Sequence, residues 1–267
     1  MTRVAVVSGA ARGIGAATVI ELAAAGWGVV ALDRCRDDPR LPYPLGTEAE
    51  LTAVARAAGE AGAAVDGRAQ AMVGDATVAA DMERAIAAAE AGFGGVDAVI
   101  AVAGVIAGGV PLWEMPADQQ DAVIEVDLVS VLVAARTGIP ALLRRPEPRS
   151  GRFVAVASAA ATRGLPMLAA YCAAKAGVTG LVRALAVELR GTGVTANAVS
   201  PGSTATSILD ESARLYDLES IEAFSGQQPI ERLIGPEEVA RTIAWLADER
   251  TGAVTGATVP VDGGLSL

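Results

Sequence analysis

Three polar side chains stand out in the mostly apolar stretch VASAAATRGLPMLAAYCAAK, residues 156–175: Ser158, Tyr171 and Lys175. Tyr171 and Lys175 are four residues apart, so any helix that carries them puts both on one face. A phenol with a pKa of about 10 is a poor base at neutral pH, but a nearby ammonium favours its phenolate form. With a hydroxyl to hold a substrate oxygen, the set can move the proton of a carbinol while a hydride leaves or reaches its carbon. As an isolated pair, Tyr171 and Lys175 also fit a plainer arrangement, a tyrosine packed on the core beside a lysine that reaches past it to solvent. Ser158 shifts the weight toward the first. It ends a short apolar run, at the carboxyl edge where parallel sheets bind their ligands.

Positioning such a set requires a sheet, and the chain supplies one. Short apolar or β-branched runs recur at residues 4–7, 29–32, 69–73, 98–102, 153–156, 195–199 and 257–261. Helical periodicity falls between them, at 14–25 (closed by Gly26), 81–91, 117–145, 168–190 (ended by Gly191) and 236–247. Pro140 predicts a kink or break in the third of these, and Pro236 with Glu237 and Glu238 marks the start of the last. Almost wholly apolar strands alternating with helices predict an α/β fold: a single doubly wound, seven-stranded parallel sheet with helices on both faces, spanning residues 1–267. Two segments break the rhythm. Residues 34–46, RCRDDPRLPYPLG, form a proline-rich insertion after the second strand, and residues 203–235 follow the sixth as a candidate substrate loop.

Composition removes several kinds of chemistry. Aromatics are 3% of the chain and apolar residues 52%, so the core must be built from Ala, Val, Leu and Ile. A net charge of −10 argues against a nucleic-acid partner, which needs clustered Lys and Arg. Histidine is absent, which excludes a His-containing triad and a His zinc site; lysine is nearly absent, which draws notice to Lys175. Cys35 and Cys172 have neither metal-binding spacing nor a disulfide framework, so no metal is expected and both read as reduced thiols. The apolar run 4–11 is interrupted by Gly9 and closed by Arg12, unlike a signal peptide. The charge-free stretch 98–113 is shorter than the ~18–20 residues of a membrane span. A cytoplasmic protein with no membrane partner is the expectation.

The cofactor for hydride chemistry is suggested at the amino end. Gly9, Gly13 and Gly15 lie between the first strand and the first helix, where a backbone without Cβ atoms lets a pyrophosphate approach the free N–H groups of a helix start. Asp33, at the end of the second strand, can accept both hydroxyls of an adenosine ribose and repels a 2′-phosphate, which favours NAD over NADP. Arg12 and Arg34 pull the other way, since either could neutralise that phosphate. Asp75 after the third strand is placed to reach the adenine edge, or equally to cap the next helix.

The Gly-x-x-x-Gly-x-Gly spacing, with Tyr171-x-x-x-Lys175, resembles the short-chain dehydrogenase/reductase family over nearly the whole chain. The resemblance implies a Rossmann fold, a homotetramer, and Ser158, Tyr171 and Lys175 as catalytic residues. It extends the cofactor contacts to Ile14, Ala76, Ala103, Gly104, Pro201, Gly202, Thr204 and Thr206, alongside Gly9, Arg12, Gly13, Gly15, Asp33, Arg34, Asp75, Tyr171 and Lys175. Two positions depart from the pattern. Val102 stands where many relatives have asparagine, and Asp127 stands in IEVDLVSV where the family has a fourth catalytic asparagine. Asp127 keeps the ability to fix a water beside Lys175, but its charge alters the proton relay.

The insertion DRCRDDPRLPYPLGTEAEL, with VAGVIAGGVPLWE, RGLPMLAAYCAAK and TVPVDGG, is similar to the mycofactocin-coupled branch of that family. That similarity implies an NAD that stays bound and passes its electrons to mycofactocin. A proline-stiffened loop starting at the adenosine-binding strand end can fold over the cofactor; a surface loop or an oligomer contact is the alternative. The expected substrate is a secondary alcohol or its ketone with an apolar body, lined by Ile106, Leu112, Trp113, Leu165, Met167, Ile208, Leu209, Leu215, Tyr216 and Phe224. An ordinary ketoreductase with exchangeable NAD(P)H, and a catalytically silent NAD-binding protein, are the competing readings.

Overall fold

The computed structural model describes residues 2–267. Its strands are β1 (Val4–Ser8), β2 (Gly28–Asp33), β3 (Arg68–Val73), β4 (Ala98–Ala101), β5 (Arg152–Val156), β6 (Thr195–Pro201) and β7 (Thr258–Val261). All pair in parallel, in the order β3-β2-β1-β4-β5-β6-β7. Side chains alternate across each strand, so the apolar runs feed two cores at once. Val4, Val6, Val30, Leu32, Val99 and Phe153 enter one, and Ala5, Val7, Val29, Ala31, Ile100 and Val154 enter the other. That is why the inner strands lack the polar alternation of a half-exposed sheet, which only the edge strand β3 shows, with Arg68 and Gln70 exposed.

Helices cover both faces. They are α1 (Gly13–Ala24), α2 (Glu48–Gly62), α3 (Ala79–Phe93), α4 (Ala117–Ile124), α5 (Ser130–Leu143), α6 (Ala169–Glu188), α7 (Ser207–Leu215) and α8 (Pro236–Ala247). Val19 and Leu22 of α1, Leu51 of α2 and Ile243 of α8 fill one core; Met82 and Ile86 of α3, Val131 of α5 and Val178 of α6 fill the other. The strand order reverses between β1 and β4, which opens a crevice beyond their carboxyl ends.

Several sequence expectations need correction. Helix α2 follows the insertion directly, and the periodicity reading omitted it. Its start is a capping box in which Glu50 N donates to Thr47 Oγ1 and Thr47 N donates to the Glu50 carboxylate. The expected helix 117–145 is interrupted, but not at Pro140. A π turn at Glu125–Val129 separates α4 from α5, and α5 continues through Pro140 to Leu143. The candidate substrate loop carries its own helix, α7. By length and composition, Ala117–Leu143 and Ala169–Glu188 are apolar enough to cross a membrane, a test that the charge-free stretch 98–113 alone had not met. In the fold both contribute apolar side chains to the cores.

Candidate active site

Backbone proximity builds the floor of the site. Gly9 has φ +68°, and a Cβ there would lie 2.6 Å from the Ala103 Cα, so the loops after β1 and β4 touch main chain to main chain. Ser8 Oγ accepts from Val102 N at 3.2 Å and joins the same two loops. Helix α1 starts without a side-chain cap among the described residues, leaving its first N–H groups for an anion. Above this floor lies a cleft of about 670 Å³. It is lined by Gly9, Arg12, Gly13, Ile14, Gly15, Asp33, Arg34, Asp75, Ala76, Ala103, Gly104, Pro201, Gly202, Thr204 and Thr206, and also by Ser158, Tyr171 and Lys175. The structure thus brings the two sets of residues singled out in the sequence to one cavity.

The charges at the Asp33 end fit an unphosphorylated adenosine ribose. Asp33 accepts one backbone N–H on each oxygen, from Ala11 at 3.0 Å and Cys35 at 3.1 Å, and keeps further lone pairs for hydroxyls. Arg12 and Arg34 are both engaged elsewhere. Arg12 Nε lies 2.8 Å from Glu50 and its Nη1 donates to Pro44 O at 3.2 Å, while Arg34 Nη1 lies 3.1 Å from Asp38. Asp75 settles into a local turn, accepting from Thr77 N at 3.0 Å; the residue preceding α3 is Val78, so Asp75 does not cap that helix.

The insertion 34–46 is folded onto the cleft. Tyr43, Pro44, Leu45 and Gly46 line it, Leu41 is buried against Val105 and Val126, and Tyr43 Oη accepts from Ile106 N at 2.8 Å. Burial pushes the Tyr43 phenol well above its ordinary pKa. At the centre of the insertion, the buried Asp38 takes hydrogen bonds from Arg40 N, Nε and Nη2 and from Arg34 Nη1. Arg40 Nη2 also lies 2.7 Å from Glu125 on the π turn.

The reacting end is built by three elements. Ser158, just beyond β5, has an extended backbone, and its Oγ accepts from Ala160 N at 3.2 Å. Helix α6 carries Tyr171 and Lys175. Lys175 is buried; its Nζ donates to Val156 O at 3.2 Å, lies 2.9 Å from Asp127 Oδ1 and sits 5.6 Å from the Tyr171 ring centre. Asp127 is completely buried behind the cleft wall, and its Oδ2 accepts from Val105 N at 3.4 Å. Of the proposed catalytic set it alone does not line the cleft. Burial raises the pKa of the Asp127 carboxyl, and Lys175 partly offsets this. For Lys175, burial opposes the charge, but Asp127 and Tyr171 outweigh it and hold the ammonium above its ordinary pKa. Burial raises the Tyr171 phenol, Lys175 pulls it back, and Asp127 pushes it up again.

Beyond Tyr171 the cleft becomes apolar. Ile106, Leu165, Ile208, Leu209, Tyr216 and Phe224 line it, as the sequence reading expected. Leu112, Trp113, Met167 and Leu215 do not; Trp113 is 85% exposed. Tyr216 Oη donates to Pro166 O at 2.8 Å and bridges the α7 segment to the loop after β5. Two residues that shape the site escaped sequence reasoning, Tyr43 and Glu125. The spacing of a proline-rich loop does not reveal which of its side chains turns inward. Glu125 could have been flagged as a charge two residues from Asp127.

A Rossmann-like sheet with this cleft at its switch point defines the structural class. The model of the family described as enoyl-(acyl carrier protein) reductase matches residues 9–266. The chain is 39% identical over 263 residues to the cis-4-hydroxycyclohexanecarboxylate dehydrogenase of Sinomonas cyclohexanicum, covering 98% of this chain and 96% of that protein. It is 36% identical over 264 residues to the short-chain reductase protein NovJ of Streptomyces niveus, covering 98% and 93% respectively. Among solved structures, carveol dehydrogenase from Mycobacterium avium in complex with NAD superposes with a TM-score of 0.90 at 29% identity, covering 98% of this chain and 97% of that one. The chain belongs to the short-chain dehydrogenase/reductase family.

Proposed function

We propose that the protein is an NAD-dependent oxidoreductase that interconverts a secondary alcohol and a ketone. One observation carries the reading: Ser158, Tyr171 and Lys175 meet in the same cleft as the glycine turn and Asp33. Gly9, Gly13, Gly15 and the start of α1 hold the pyrophosphate, and Asp33 holds the adenosine ribose. Ala103, Gly104, Pro201, Gly202, Thr204 and Thr206 line the remainder of the cofactor's path. NAD, when bound, accepts or supplies the hydride. Ser158 holds the substrate oxygen, Tyr171 exchanges its proton, and Lys175 orients and polarises Tyr171. Asp127 fixes Lys175 from behind.

The substrate has an apolar body, in keeping with the lining from Leu165 to Phe224. The similarity to hydroxycyclohexanecarboxylate and carveol dehydrogenases supports a cyclic alcohol or ketone. The cofactor stays bound under the insertion 34–46, and its electrons pass to mycofactocin. The contacts of Tyr43 with Ile106 and of Arg40 with Glu125 support retention, because both must break before the loop lifts. The reading also includes a homotetramer in the cytoplasm; the exposed apolar Leu132 on α5 and Val187 on α6 supply surface that contact between copies would bury.

Mass spectrometry of the desalted, denatured protein tests this reading. Near one NAD per chain supports retention. A cofactor-free protein that turns over with added NADH overturns it and leaves an ordinary ketoreductase.

A further inference from the structure

Lys175 is the only lysine in the chain, and it meets a carboxylate where the family pattern has an amide. The two are 2.9 Å apart, with Asp127 fully buried and Lys175 3% exposed, so no solvent screens them. The π turn makes this contact by inserting an extra residue between α4 and α5 at the level of the lysine. Gly104 leaves room for it: a Cβ there would stand 2.9 Å from Asp127 Oδ1 and 3.5 Å from Lys175 Nζ.

We propose that Asp127 sets the pH at which the proton relay works: its carboxylate neutralises Lys175 by direct contact, so Tyr171 keeps its proton at neutral pH. Asp127 is a positioning residue acting through Lys175. This rests on the reading of Tyr171 as the proton-exchanging group. In the reducing direction the carbonyl carbon gains a hydride from the reduced cofactor and its oxygen gains the Tyr171 proton, which leaves an alcohol, oxidised NAD and a phenolate that solvent reprotonates. Alcohol oxidation is the reverse, and it needs the phenolate first. The overall equilibrium is untouched. What changes is the pH at which oxidation reaches its plateau.

Other ionisable groups near the pair do not substitute for this effect. Tyr171 and Cys172 face it from α6, and Tyr43 faces it from the insertion; Glu211 of α7 is felt at Tyr43. Glu125, on the same π turn, is paired with Arg40. Residues 102–109, 157–162 and 202–206 of the loops after β4, β5 and β6 contain no ionisable side chain, and Arg163, which lines the cleft from the loop after β5, donates to Leu265 O.

The test is Asp127→Asn, with Asp127→Ser as a second uncharged variant should the amide fold poorly. Tyr43, Tyr171 and Tyr216 are the only tyrosines, so phenolate absorbance minus that of the matching Tyr171→Phe protein isolates Tyr171 without substrate. The wild type should show no Tyr171 phenolate below pH about 10, and the variants should titrate about one unit or more lower. The alkaline limb of alcohol oxidation should move down by the same amount. The single resonance of isotope-labelled lysine should also titrate at lower pH in both variants. An unmoved Tyr171 midpoint in both variants, with activity merely reduced at every pH, overturns the proposal. Wild-type turnover in Tyr171→Phe would instead overturn the reading of Tyr171, a failure the titrations keep separate.

Discussion

Arg40 of the insertion and Glu125 of the π turn meet at 2.7 Å, and two residues along the same turn Asp127 reaches Lys175 at 2.9 Å. One irregular turn therefore fastens the loop over the cleft on one side and the lysine beneath it on the other. A regular helix through residues 125–129 would change the phase between these two carboxylates.

Weakening the first contact should free the cofactor. Glu125→Gln is expected to speed NAD release about two- to fivefold, the worth of a partly exposed ion pair. Tyr43→Phe, which leaves the Ile106 N–H without its acceptor, should speed it about tenfold. Stopped-flow displacement of bound NADH measures both. Unchanged release in both variants would mean that the insertion does not gate the cofactor.

Cofactor choice should follow Asp33 rather than the arginines beside it. Asp33→Ala is expected to weaken NAD binding about tenfold, the loss of charge-assisted hydrogen bonds to the ribose. Little NADP affinity should appear, because Arg12 and Arg34 stay paired with Glu50 and Asp38. Calorimetric titration with each nucleotide checks this. Tight NADP binding by the variant would show that one of these arginines turns into the site.

Gly9→Ala should disable the floor of the cleft. Its φ of +68° and the 2.6 Å approach to Ala103 demand both a strained backbone and a displaced loop. A loss of about 2 kcal/mol or more is expected, with bound cofactor lost as well. Chemical denaturation and cofactor content give the two readouts; a fully stable variant that still binds NAD would contradict the described loop contact.

Acid should loosen the insertion through Asp38. The Arg40 side-chain hydrogen bond, opposed by burial and reinforced by Arg34, holds the folded-state pKa of Asp38 well below the ordinary carboxylate value. A depressed folded pKa contributes stability that is fully present above the unfolded value near 3.9 and is lost as pH falls below it toward the folded value. Retention of NAD should therefore decline below pH ~4, and Asp38→Asn should show weakened retention already at neutral pH, with a flatter acid limb. Equilibrium dialysis across that range measures it.

Much of the fold was legible because the apolar runs of the inner strands β1, β2, β4, β5 and β6 are buried on both faces, leaving a pattern with few rivals. The strand at residues 153–156 and the helix bearing Tyr171 and Lys175 illustrate this. Helix α2 escaped because it buries only Leu51, Val54, Ala58 and Gly62, two of them small, which leaves a faint apolar stripe, although the Thr47–Glu50 box marks its start. The break at Glu125–Val129 was misassigned to Pro140 because a proline announces itself. A π turn has no residue signature. Leu112, Trp113, Met167 and Leu215 looked like substrate lining on hydrophobicity alone, which does not say which way a loop side chain points.

In the proposed reaction Tyr171 moves the proton for hydride transfer at an NAD held in the cleft. The most direct measurement adds a panel of cyclic secondary alcohols to desalted wild type and Tyr171→Phe and follows the fluorescence of bound NADH in a single turnover. NAD content should be equal in the two proteins, with NADH formed in the wild type and at least about a hundredfold slower in the variant, the scale of a lost general base. NADH formation at the wild-type rate in Tyr171→Phe would contradict it.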